Sequence, residues 1–120
     1  MKHQHTGITR IIKAFTYSMD GFKATYKSEA AFRQEVWLAA VLIPLSIILP
    51  FSWRDTVTLI SAMLLVLIAE MLNSAIEAAI DRISLEKHPL SKQAKDIGSA
   101  VVLISLLNLA LFWIVICYTQ

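Results

Sequence analysis

The stretch IGSAVVLISLLNLALFWIVICY, residues 97–118, runs for 22 residues without a charge. A helix of roughly 20 apolar residues crosses the hydrocarbon core of a bilayer. In lipid the backbone must satisfy its own hydrogen bonds, so the stretch predicts a transmembrane helix and not a strand. Moving toward the N-terminus, residues 82–96 form a polar connector. Thr56 to Ile80 follows, 25 residues whose only charges are Glu70 and Glu77. Arg54 and Asp55 separate it from Val36 to Trp53, 18 residues with no charge. The chain therefore predicts an all-α membrane protein, a single domain over 1–120 with three spans at about 36–53, 56–80 and 97–118. Pro44 and Pro50 are expected to bend or end the first span.

Composition agrees. Apolar residues make up 57% of the 120 residues and charged residues 17%, against about 45–50% and about 25% in soluble domains. Mean hydropathy is +0.62. Disorder and a fibrous chain are excluded, and the single cysteine, Cys117, excludes an internal disulfide. A net charge of +2 gives no reason to expect nucleic acid as a partner. The first apolar stretch begins too late for a secretory leader, so the spans themselves are expected to direct insertion.

Basic residues set the orientation. Six lie in residues 1–35, one in the first connector, four in the second and none after residue 96. Basic loops remain in the cytoplasm, which predicts a multi-pass protein of the cytoplasmic membrane with its N-terminus inside and C-terminus outside.

Residues 6–35 are expected to form an amphipathic surface helix and its lead into the first span. Ile8, Ile11, Ile12, Phe15, Met19, Phe22 and Tyr26 fall within an arc of about 100°, with Arg10, Lys13, Asp20, Lys23 and Lys27 on the other side. Such a helix lies in the interface with its apolar face toward the acyl chains. His3 and His5 read as a solvated terminus and not as a metal pair.

The second span holds the chemistry. Intramembrane carboxylates are costly and mark functional sites. In Ala-Glu-Met-Leu-Asn-Ser-Ala-Ile-Glu-Ala-Ala-Ile-Asp-Arg (69–82), Glu77 and Asp81 lie about 20° to either side of Glu70, Ser74 about 40° away and Asn73 about 60° away. One face thus carries an acidic stripe running from the cytoplasmic surface into the hydrocarbon. Paired carboxylates and an amide suit a hard divalent cation. Arg82, Lys87, Lys92 and Lys95 surround the stripe's outer end, and Lys95 and Asp96 lie near the start of the third helix, where the dipole favours phosphate. Carboxylates for a metal, lysines for phosphate and a deeper carboxylate together point to phosphoryl transfer to a lipid hydroxyl. The chain has no phosphate-binding loop of the Gly-x-x-x-x-Gly-Lys type and no protein-kinase signature. Two other readings use the same residues: a non-enzymatic subunit whose stripe organises assembly, and an ion or proton carrier. Ser61, Ser105 and Asn108 read as helix–helix contacts.

Three segments carry a family resemblance: Glu-Ala-Ala-Phe-Arg-Gln-Glu (29–35), Glu-x-x-Asn-Ser-Ala-Ile-Glu-Ala-x-x-Asp-Arg (70–82) and Ala-Lys-Asp-x-Gly-Ser-Ala (94–100). With Thr-Arg-Ile-Ile-Lys-Ala (9–14) and Tyr17-Ser18, the chain resembles the prokaryotic integral-membrane diacylglycerol kinases from about Thr6 to Tyr118. The resemblance implies a homotrimer that moves the γ-phosphate of ATP, bound with Mg2+, to diacylglycerol, giving phosphatidic acid at sites built from neighbouring subunits. It implies Glu70 as the general base, Glu29 and Glu77 as metal carboxylates, and Asn73 as their support. Arg10, Tyr17, Glu29, Glu77, Glu86, Lys87, His88, Lys95 and Asp96 would bind the nucleotide and its metal. Arg10, Glu35, Glu70 and Ser99, with the surface helix, would border the lipid. A related branch phosphorylates undecaprenol, but the segment 29–35 resembles the diacylglycerol branch more.

Overall fold

The computed structural model describes residues 6–120; His3 and His5 lie outside the described residues. Four helices follow one another: α1 (Gly7–Ser28), α2 (Ala30–Ile48), α3 (Trp53–Ile83) and α4 (Pro89–Tyr118). The described residues contain no strand. Three of the helices, α2, α3 and α4, are long and apolar enough to cross a membrane. At the helical rise the 31 residues of α3 reach about 47 Å, longer than a hydrocarbon core of about 30 Å. Its polar last turns can therefore stand clear of the lipid while Glu70 remains within it.

The chain from 6 to 35 is not one continuous lead. It breaks at Glu29, whose backbone is extended (φ −119°, ψ 112°) between the end of α1 and the start of α2. The break has a cap. Arg33 Nη1 donates to the carbonyls of Tyr26 (2.7 Å) and Lys27 (3.0 Å), satisfying acceptors that a helix C-terminus leaves without partners. The guanidinium thereby holds the end of α1 against the first turn of α2.

The charge-free run 36–53 is not helical to its end. Helix α2 continues past Pro44 to Ile48 and stops before Pro50. Pro44 removes one donor from the helical ladder without ending it. Ser52 caps α3 by accepting from the Asp55 amide at 3.2 Å. Thr56 Oγ1 donates to the Ser46 carbonyl at 2.9 Å, closing the α2–α3 corner. At the other end of α3 the chain turns through residues 84–88. His88 Nδ1 accepts from the Leu90 amide at 3.1 Å, and Pro89 opens α4, where its missing N–H costs nothing.

The third helix, α3, is central and packs against α2 and, most extensively, α4, while α1 rests on α2. The core is a seam of small and medium side chains: Ala39, Ala62, Met63, Val66 and Leu109, with Leu42, Ile43, Leu67, Leu106 and Trp113 around it. Ser105 is buried and returns its hydroxyl to the Val102 carbonyl of its own helix. Much apolar surface faces outward, including Ile8, Ile11 and Phe15 on α1 and Leu103, Ile104 and Leu107 on α4. A surface of this kind belongs in lipid or against another subunit.

Candidate functional site

The face of α3 that carries the acidic stripe changes steadily in exposure along its length. Glu70 and Asn73 are buried at 5% and 8% exposure, Ser74 and Glu77 are half-buried, and Asp81 is exposed. This order follows from the antiparallel packing of α4, which covers the stripe at Asn73 and leaves it open near the 84–88 turn.

Glu29 reaches this stripe from a distance in sequence. Its break in the backbone turns the side chain away from its own helix, and it makes no cap to α2. Instead Ser74 Oγ donates to Glu29 Oε1 at 2.9 Å, joining residues 45 apart. The carboxyl groups of Glu29 and Glu77 lie within electrostatic reach of each other. Asn73 Nδ2 donates to Glu77 Oε2 at 3.3 Å, whereas Asn73 Oδ1 is buried without a hydrogen-bond partner. Glu70 lies deeper, within electrostatic reach of Glu29, Glu77 and, from α2, Glu35. Glu35 is itself buried at 8% exposure with Oε2 unpartnered.

This donor set fits a hard cation. It offers two neighbouring carboxylates, and the ordinary repulsion between such a pair is what a divalent ion between them would relieve. No three His, Cys, Asp or Glu side chains among the described residues group tightly enough to cage a metal. A pair with room for other ligands is the arrangement magnesium uses when substrate phosphates and waters complete its shell.

Basic residues lie just beyond the pair. Lys95 Nζ bonds Asp81 Oδ1 at 2.9 Å and is within electrostatic reach of Glu77. Lys92 Nζ bonds Asp96 Oδ2 at 2.6 Å. A cleft of about 690 Å³ opens here, and Glu86, Lys87, His88, Lys95 and Asp96 all line it together with Asp81. The five residues expected around a nucleotide from the 84–96 region are thus gathered in one place. Arg10 and Tyr17 are exposed on α1 and do not line this cleft. Ser99 is exposed on α4. A second cleft, about 680 Å³, lies where α1 meets α2, with an apolar floor of Phe22, Phe32, Val36 and Leu67 beneath Lys23, Lys27 and Arg33. Glu35 does not line it.

Three contributors were not legible as site residues. Ser74 stood in the stripe, but nothing marked it as the partner of Glu29. In the sequence Asp81 marks the stripe's outer end with no sign of its pairing to Lys95, and Arg33 gives no local sign of capping α1. Each depends on contacts between helices.

Residues 16–117 match the family described as prokaryotic diacylglycerol kinase. A diacylglycerol kinase of Pseudomonas aeruginosa is 51% identical over 108 residues, covering 90% of this chain and 88% of its own length. The diacylglycerol kinase of Haemophilus influenzae is 44% identical and covers 92% of this chain and 94% of its own. That of Escherichia coli K12 is 45% identical and covers 100% of this chain and 98% of its own.

Proposed function

Because the chain belongs to the prokaryotic diacylglycerol kinase family, we propose that it transfers the γ-phosphate of ATP to the free hydroxyl of diacylglycerol, forming phosphatidic acid and ADP. One observation supports this reading most. The Glu29–Ser74–Glu77–Asn73 cluster adjoins a lysine-bearing cleft at its exposed end and a buried carboxylate, Glu70, at its deep end.

The two ends have different tasks. From the cleft, Lys87, His88 and Lys95 attract and orient the nucleotide phosphates. Glu29 and Glu77 would hold the divalent cation, magnesium in this reading. When bound, it neutralises charge on the phosphate oxygens. Asn73 keeps the Glu77 carboxylate aimed, and Ser74 does the same for Glu29. Glu70 lies two turns from Glu77, about 10 Å along the helix. That separation suits a base at the acceptor and not a second ligand to the same ion. Glu70 takes the proton from the lipid hydroxyl as its oxygen bonds to the γ-phosphorus and the bond to the bridging oxygen of ADP breaks. Glu35 and Ser99, with α1, border the lipid. Arg10 and Tyr17, outside the cleft in one chain, would reach the substrates only from α1 of a neighbouring subunit.

We read the active unit as a homotrimer in the inner membrane, N-terminus inside and C-terminus outside. The exposed alanine face Ala75, Ala78 and Ala79 of α3 allows close helix approach. The exposed apolar side of α1 suits the membrane interface.

The test is direct: purified protein in mixed micelles with MgATP, given diacylglycerol in one sample and undecaprenol in another. Phosphatidic acid is expected in the first. No ATP-dependent phosphorylation of diacylglycerol would overturn the reading.

A further inference from the structure

Gly98 lies in the interior of α4, and it is buried. Its φ is not positive, so an L-residue with a side chain would meet no backbone strain there. Alanine is also the better helix former. The neighbours of its missing Cβ supply the reason for glycine. All three of the nearest atoms to that position belong to Asn73. Oδ1 occupies the space itself, Cγ is 3.2 Å away and Cα 3.7 Å away. The Asn73 amide is therefore seated in a notch in α4 that only glycine leaves open.

That seat fixes which way the amide faces. With Oδ1 in the notch, Nδ2 is turned toward Glu77 and donates to it. The opposite orientation would set a carbonyl oxygen against a carboxylate, which offers no donor. Oδ1 receives no hydrogen bond in the notch, so packing and not hydrogen bonding holds it.

We propose that Gly98 is a positioning residue for phosphoryl transfer: by leaving room for the Asn73 amide it aims Nδ2 at Glu77 and so holds the Glu77 carboxylate beside Glu29. The inference rests on the reading of Glu29 and Glu77 as the cation-binding pair. A Cβ at residue 98 displaces the amide, and Glu77 loses its only neutral donor among the described contacts.

The experiment compares wild type, Gly98→Ala, Asn73→Ala and the double variant. The chain has two asparagines, Asn73 and Asn108, so 15N-asparagine labelling of the metal-free protein gives two side-chain amide signals, and Asn73→Ala assigns them. Turnover with MgATP and diacylglycerol, and the Mg2+ concentration for half-maximal rate, are measured on the same preparations. In Gly98→Ala the Asn73 amide signal should move while that of Asn108 stays. Turnover should fall about tenfold or more, as for an overpacked site, and more Mg2+ should be needed. In the double variant the obstructed side chain is gone, so its activity should equal that of Asn73→Ala within about twofold. An unmoved Asn73 signal, wild-type turnover and Mg2+ requirement in Gly98→Ala, or losses that multiply in the double variant would each overturn the proposal. If Gly98→Ala does not fold, recovery of folding in the double variant supports the proposal, and a double variant that also fails overturns it. Failure of the underlying site reading looks different: Asn73→Ala itself would keep wild-type turnover and Mg2+ requirement, whatever the amide signals do.

Discussion

Ser74 Oγ donates a 2.9 Å hydrogen bond to Glu29 Oε1, and this contact ties the junction of α1 and α2 to the acidic face of α3. It joins the residue between α1 and α2 to one within α3, a helix long and apolar enough to cross a membrane.

Ser74→Ala removes the donor and leaves Glu29 beside Glu77 without a neutral partner. Hydrogen bonds to charged groups contribute about 1.5–3 kcal/mol, so the apparent Mg2+ affinity should fall about 10- to 100-fold with the helices intact. Mg2+ titration of activity, with circular dichroism as the control for folding, checks this. Unchanged Mg2+ dependence would mean that the hydroxyl does not hold Glu29 for the ion.

Glu77→Gln should abolish transfer at ordinary Mg2+ and regain part of any residual rate as Mg2+ is raised, because one hard oxygen ligand has lost its charge. Steady-state rates over a range of Mg2+ concentrations decide it. Wild-type turnover at ordinary Mg2+ would exclude Glu77 as a ligand.

Within one chain Ser74 holds Glu29 within electrostatic reach of Glu77, although the family resemblance implies sites built from neighbouring subunits. Mixing Glu29→Gln with Glu77→Gln subunits should therefore restore no activity, since no subunit in the mixture has both carboxylates. Recovery, with mixing confirmed by two affinity tags, would mean that the pair is assembled across subunits.

Arg33→Ala should loosen the end of α1, whose Tyr26 and Lys27 carbonyls lose their shared donor. Hydrogen exchange at residues 26–30 should quicken several-fold, consistent with local opening before global unfolding, while exchange in α4 is unchanged. Equal protection in both proteins would show that α1 is held by other contacts.

The sequence displays the parts of this site that obey helical periodicity. The five polar residues from Glu70 to Asp81 repeat on one helix face, so their stripe and its depth are readable from spacing alone. The three apolar helices follow from the spacing of charges. What spacing cannot display is the meeting of separate helices. The Ser74–Glu29 bond, the Lys95–Asp81 pair and the Gly98 notch all arise from how α1, α3 and α4 lie together. The break at Glu29 was hidden for a related reason. Residues 29–35 are mostly good helix formers, and the extended backbone at Glu29 is accompanied by a cap from Arg33 across the junction. Of the two prolines expected to bend or end the first span, Pro44 lies inside α2, and the helix ends at Ile48, before Pro50.

The proposed mechanism divides the work, with Glu29 and Glu77 at the metal–nucleotide end and Glu70 at the acceptor hydroxyl. Glu70→Gln measured on one sample for both MgATP affinity and diacylglycerol phosphorylation tests it most directly. Near-wild-type MgATP affinity is expected, with turnover reduced ~100- to 10,000-fold, the range of a lost general base. A loss of MgATP affinity equal to that of Glu77→Gln would contradict it, placing Glu70 among the metal or nucleotide ligands.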